Sequence, residues 1–200
     1  MPCIILALLA LVAPWAAVAS NTALTGAEGH PQARFPLTVQ MPAVGDAALE
    51  AAMRRAVDDW NTLGRAALGV EVFAVGADGR AQVRVGLEPA TASGLMGATS
   101  LQAGDDGVID PPIRITLVEP VARGQTSREA LLYQVFAHEL GHALGLPHAR
   151  DPRSLMCCDH DAVDLRDPAV REVYVQARRR PDLHSVRDQL VEHYTRFWRR

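Results

Sequence analysis

The chain contains no lysine. All 20 of its basic residues are arginine, set against 23 acidic ones, and the formal net charge is only −3. A charge that small gives no basic field of the kind that holds nucleic acid or an anionic membrane, so neither is expected as a partner. Cysteine is scarce as well: Cys3 stands near the start and Cys157 and Cys158 are adjacent, which leaves no spaced pairs for a disulfide framework. Long apolar runs are missing beyond the first twenty residues, so no later stretch is expected to cross a membrane. The opening "MPCIILALLALVAPWAAVAS" is apolar from Ile4 to Val12 and ends in Ala17-Val18-Ala19, a small-x-small pattern. It reads as a secretory signal cut near Ala19, its positive end supplied by the amino terminus alone. Cys3 would leave with it. The arginine-only basic set, with much Ala, Gly and Pro, suits a GC-rich bacterial genome, so a periplasmic or secreted bacterial protein is expected.

With 200 residues and 48% hydrophobic side chains, the chain can bury one good core. Residues 20 to 32 are small and polar and read as a flexible lead-in. "RFPLTVQM" (34 to 41) reads as a strand. From Ala47 to about Leu63, the residues Leu49, Met53, Ala56, Val57 and Trp60 recur at helical spacing, with Asp46 as cap and Gly64 as the stop. "VEVFAV" (70 to 75) and "AQVRVGL" (81 to 87) follow as short β runs. A glycine-rich stretch, 94 to 107, leads into "PIRITLV" (112 to 118), where Pro111-Pro112 favours an edge or the start of a strand. Thr126-Ser127-Arg128-Glu129 fits a capping box opening the next helix. Helices are expected over 167 to 180 and 185 to 198, divided by Pro181-Asp182. Strands and helices in this order give an α/β (α+β) class with a mixed sheet.

The chemistry is concentrated in "HELGHALGLPH", 138 to 148. On a helix His138 and His142 project from one face, about 6 Å apart along the axis, so both imidazoles can reach one ion. Glu139 is offset by roughly 100°, too far round to be an equal ligand but able to lean over the metal's open side. A straight helix would carry residue 148 away. Gly145 tolerates the left-handed backbone that ends a helix, which turns the chain so that His148 returns as third ligand, and Pro147 discourages the helix from resuming. Three neutral nitrogen ligands with one open position describe catalytic rather than structural zinc, with Glu139 as general base.

The pattern His138-Glu139-x-x-His142-x-x-Gly145-x-x-His148 resembles the zinc signature of the metzincins, and Ser154-Leu155-Met156, eight residues after the third histidine, resembles their Met-turn as matrixins place it. The order of elements is similar to the matrixin catalytic domain over about residues 33 to 156. The resemblance implies one catalytic zinc on His138, His142 and His148, Glu139 as general base, and Met156 as an apolar floor beneath the metal. It implies a single catalytic domain over 33–200, with an upper lobe of about 33–148 and a lower lobe of about 149–200. It also implies that a protein or peptide substrate pairs with an edge strand near "GLMGATS" (94 to 100). The chain departs from the family in carrying neither a segment like the cysteine-switch propeptide nor the histidine cluster of a second, structural zinc.

Two other readings stand beside an exported, monomeric zinc endopeptidase: a peptide- or metal-binding pseudo-enzyme, and a closed structural zinc site completed by Cys157, Cys158 or His160. The cysteines could close a vicinal ring, pair with other chains or stay free. In astacin-like and serralysin-like metzincins a zinc-reaching tyrosine stands where Cys158 stands here, so a reduced Cys158 is a candidate redox group or fifth ligand. Asp105, Asp106 and Asp110 could hold calcium but read as a solvated acidic turn. His30, His184 and His193 read as surface residues, and the arginine run 178 to 180 as a solvated helix end.

Overall fold

The computed structural model describes residues 24–76, 79–90, 96–122, 124, 126–158 and 163–199. The signal and its cleavage point lie outside the described residues. Five strands form one mixed sheet: β1 (Leu37–Gln40), β2 (Phe73–Val75), β3 (Val83–Glu88), β4 (Gly97–Ala103) and β5 (Ile109–Val118), in the spatial order β2-β1-β3-β5-β4. β1, β2, β3 and β5 run parallel, while β4 is antiparallel to β5 and stands at the end of the sheet. The α-helices among the described residues are α1 (Ala47–Leu68), α2 (Arg128–Ala143), α3 (Pro168–Arg179) and α4 (Arg187–Phe197). The class is α+β, as the sequence predicts.

Alternation explains the sheet. Leu37 and Val39 of β1, Val83 and Val85 of β3, and Ile113, Ile115 and Leu117 of β5 are buried, every second residue pointing into one core. Leu49, Met53, Val57 and Trp60 of α1 and Leu132, Phe136 and Leu140 of α2 complete that core. The Trp60 indole N–H donates to the Ala137 carbonyl at 2.9 Å, fixing α1 against the turn of α2 that precedes His138.

Three sequence expectations shift on the structure. The first helix does not stop at Gly64 but runs one turn further to Leu68, where Gly69 takes the left-handed cap with φ 75°. Gly64 is a packing residue instead: a side chain there would meet Val72 Cγ1 at 2.8 Å and the Val70 carbonyl at 2.9 Å. The cap of α2 is Ser127, not Thr126, and its hydroxyl accepts from the Ala130 N–H. Thr126 is buried at 4% exposure, its side chain turned inward, so the exposed neighbour caps. Pro111 and Pro112 mark the start of a ladder, not a sheet edge: β5 is internal, its pairing with β3 begins at Ile113, and its register with β4 shifts across the prolines.

Residues 24 to 34, read as a lead-in and first strand, are docked. The Gly29 N–H donates to the Gly107 carbonyl and the Ile109 N–H to the Gly29 carbonyl, both at 2.9 Å. α4 packs over this segment, where the Trp198 indole N–H donates to the His30 carbonyl at 2.9 Å. Among the described residues no helix is long and apolar enough to cross a membrane.

The Gly64 contact sets the seam between α1 and β2. Gly64→Val is expected to destabilise the fold by about 1–3 kcal/mol through overpacking against Val72, measured by urea unfolding. An unchanged midpoint would mean the seam yields.

Candidate metal centre

α2 delivers two imidazoles from its last two turns and then ends in a Schellman arrangement. Leu144 is the C-cap, the Gly145 N–H donates to the His142 carbonyl at 2.9 Å, and the Leu146 N–H donates to the Gly141 carbonyl at 3.0 Å. Gly145 has φ 84°, the left-handed region expected from the sequence. A second constraint acts at the same position and has no sequence signature: a side chain on Gly145 would collide with the backbone carbonyl of Glu28 in the docked amino-terminal segment. Glu28 holds that segment in shape, its carboxylate accepting from the N–H groups of Thr25, Gly26 and Ala27. The Tyr194 hydroxyl of α4 donates to the Leu144 carbonyl at 2.9 Å, bracing the turn from the other side.

The turn places His148 against the helix histidines. Its Nε2 lies 3.2 Å from the Nε2 of His138 and 3.2 Å from the Nε2 of His142. Hydrogen-bond partners decide the tautomers. His138 Nδ1 is 2.8 Å from the Leu155 carbonyl and His142 Nδ1 is 2.8 Å from the Leu146 carbonyl. A carbonyl can only accept, so each Nδ1 carries the proton and each Nε2 keeps a bare lone pair. Two lone pairs facing a third ring nitrogen at this distance cannot all be satisfied by the one proton His148 can offer. Nitrogens bound to one tetrahedral zinc at about 2.0–2.1 Å would stand about 3.3 Å apart, close to the observed spacing. The donor set therefore fits one metal ion, and these three histidines form the metal-competent cluster among the described residues.

Burial keeps the ligands neutral. His138 and His142 are 2% and 1% exposed, while His148 is half-buried and marks the open side. Desolvation pushes the His138 imidazole well below its ordinary range, helped by the nearby His142, and takes His142 down to about 4, with His148 adding to the effect. Glu139 is shifted the other way by the same cause: burial raises its carboxyl to about 8, against a lowering from the Thr99 hydroxyl. The Thr99 hydroxyl lies 2.6 Å from Oε2, while Oε1 is buried without a hydrogen-bond partner. An orphaned carboxyl oxygen beside a metal-competent triad is what a site built for a further polar group leaves behind.

Below the ligands the chain forms the turn expected at Ser154-Leu155-Met156. Met156 is fully buried and packs its thioether on Gly141, where a side chain would collide with the sulfur. The turn is held on each side. The Ser154 hydroxyl accepts from the Met156 N–H at 3.1 Å, the Ser185 hydroxyl accepts from the Leu155 N–H at 2.9 Å, and the Ala149 N–H donates to the Met156 carbonyl at 2.9 Å. The Arg178 guanidinium donates to the Ser154 carbonyl at 3.2 Å and the Cys157 carbonyl at 2.6 Å, and stacks on Tyr174. Because the Leu155 carbonyl orients His138, Arg178 and Ser185 support that imidazole at one remove. Cys157 and Cys158 follow the turn directly, with their side chains against each other.

Arg178 corrects one expectation: at 3% exposure it is buried beneath the turn, not part of a solvated helix end, although Arg179 and Arg180 are exposed. His30 and His193 correct another, at 0% and 3% exposed. His30 Nε2–H donates to the Ala143 carbonyl at 2.9 Å, and burial takes the ring down to about 4. Both histidines are buried where the amino-terminal segment meets α4 and the end of α2, a long-range contact without a local spacing signal. His184 is exposed, as expected. Asp105, Asp106 and Asp110 are exposed, with Asp106 accepting from the Val108 N–H within its own turn. His160 lies outside the described residues.

A mixed sheet whose end strand flanks a helix carrying two of three converging histidines, with a glycine turn to the third and a buried methionine turn beneath, defines the metzincin class. The family comparison agrees: the matrixin family model matches residues 30–170, and the chain belongs to that family. It is similar to matrix metalloproteinase-16 of Homo sapiens, 30% identical over 146 residues that make up 67% of this chain and 24% of that protein. The Mus musculus matrix metalloproteinase-16 gives the same identity and coverage. The chain thus spans about a quarter of the length of these relatives. At the family level the match indicates a zinc metalloendopeptidase.

Gly145→Val tests the turn without removing a ligand. A β-branched residue is costly at positive φ and would also strike the Glu28 carbonyl, so zinc affinity, measured by chelator competition, is expected to fall at least about tenfold. Parental affinity would show that the turn tolerates a side chain.

Proposed function

We propose that the chain is an exported zinc-dependent endopeptidase acting on protein or peptide substrates. The observation that carries this reading is the convergence of three neutral imidazole nitrogens beside a buried carboxyl with one oxygen unpartnered. Zinc on His138, His142 and His148 would supply a Lewis acid for water and for the peptide carbonyl. Glu139 is the group for the protons: its carboxylate takes one from the attacking water and returns it to the leaving amine. His138 and His142, fixed by the Leu155 and Leu146 carbonyls, hold their lone pairs without reorganising, and Met156 keeps the ground beneath them apolar. β4, at the end of the sheet, offers main-chain groups along which an extended peptide can pair.

We read residues 33–200 as one catalytic domain, active as a monomer, with no nucleic-acid partner and no lasting membrane attachment once the signal is removed. Glu139→Gln is expected to bind zinc nearly as the parent does yet lose at least about a hundredfold in peptidase rate. His142→Ala is expected to lose zinc and thermal stability together, since metal binding is linked to folding. Metal analysis, thermal melts and cleavage of a fluorogenic peptide mixture, each with and without a chelator, make the test. A Glu139→Gln protein that cleaves normally, or a parent that cleaves nothing when zinc-loaded, would overturn this reading.

A further inference from the structure

We infer that Thr99 is a positioning residue for Glu139, the means by which the sheet's end strand sets the orientation of the base. The inference rests on the endopeptidase reading and adds a residue to it. Alternation along β4 puts Gly97 and Thr99 on one face, and helical spacing puts Val135 and Glu139 on one face of α2. These two faces meet. A side chain on Gly97 would lie 2.6 Å from Val135 Cγ1, 2.9 Å from Glu139 Oε1 and 3.2 Å from Glu139 Cγ. The Glu139 side chain therefore lies along β4, passing over the bare Cα of Gly97 to reach the Thr99 hydroxyl. Both Thr99 and Glu139 are 0% exposed.

The hydroxyl stands 2.6 Å from Oε2 and 3.2 Å from the Glu139 carbonyl, and it has one proton to give. With the carboxylate ionised, the shorter contact takes that proton. Oε2 is then committed, and Oε1, which has no hydrogen-bond partner, is left to act on a reacting group. A carboxylate held at one end by a buried hydroxyl cannot turn about its last torsion, which otherwise has broad, roughly two-fold freedom. The strand that supplies the hydroxyl is also the one on which the proposed peptide pairs, so base and substrate share a single mount. A base held this way changes the chemical step more than the binding step.

The test uses the zinc-loaded chain carrying Thr99→Val, which keeps the shape and loses the hydroxyl, and Thr99→Ser, which keeps the hydroxyl. On fluorogenic peptides that the parent cleaves, Thr99→Val is expected to lower kcat at least about tenfold with KM within about twofold, while Thr99→Ser recovers most of the rate. Zinc affinity by chelator competition is expected to be unchanged in both. Parental kcat in Thr99→Val, equal loss in both variants, or a fall in zinc affinity matching the fall in rate would overturn the inference. Crystal structures give a readout that needs no activity. The Glu139 carboxyl is expected to keep its place in Thr99→Ser and to turn from β4 in Thr99→Val, and an unmoved carboxyl in Thr99→Val overturns the inference even if the parent proves inactive.

Discussion

The left-handed turn at Gly145 is the constraint on which the centre depends. Two histidines on one helix face can share an ion but leave half its coordination open, and the third nitrogen must come from a chain that has reversed direction within a few residues. The Schellman bonds from Gly145 and Leu146 supply that reversal, and they also bring the Leu146 carbonyl onto His142 Nδ1. One turn thus delivers the His148 imidazole and orients that of His142. Its outer surface is closed by the Glu28 backbone and the Tyr194 hydroxyl, so the amino-terminal segment and the last helix both bear on the stretch that carries the three histidines. Distant parts of the chain are folded around this turn.

Burial then sets the chemistry of each group according to its charge type. The same desolvation that lowers the His138 and His142 imidazoles, keeping them neutral and so free to bind a metal, raises Glu139 toward its protonated form. Imidazoles and carboxyl are shifted in opposite directions by one environment. Arg178 has the opposite problem, because a guanidinium stays charged wherever it is placed. It is accommodated under the Met156 turn by the Ser154 and Cys157 carbonyls and the Tyr174 ring, so the cation joins the Ser185 hydroxyl and His138 in holding the backbone of that turn.

The convergence of His138, His142 and His148, the left-handed Gly145 and the Ser154-Leu155-Met156 turn are legible in the sequence because each depends on local geometry: i, i+4 spacing on a helix, a glycine at a cap, and a short offset to the next turn. The strands were legible for the same reason, since alternation in β1, β3 and β5 follows from burial on one face. Thr99 was not, because its role depends on a register between β4 and α2 that no local pattern encodes. His30 and His193 read as surface residues because they have no ligand partner at an informative spacing, and Arg178 as part of a solvated helix end, yet each is buried against elements outside its own segment. Gly64 shows the same limit on a smaller scale: glycine often ends a helix, but here it makes room for Val72, and Gly69 ends the helix instead.

The central claim is that His138, His142 and His148 hold one zinc ion with no sulfur ligand. X-ray absorption at the zinc edge on the metal-loaded chain tests it most directly. Three nitrogen scatterers and a further light atom are expected at about 2.0–2.1 Å, with the imidazole multiple-scattering pattern. A sulfur shell at about 2.3 Å would contradict it, placing Cys157 or Cys158 on the metal and making the site a closed, structural one.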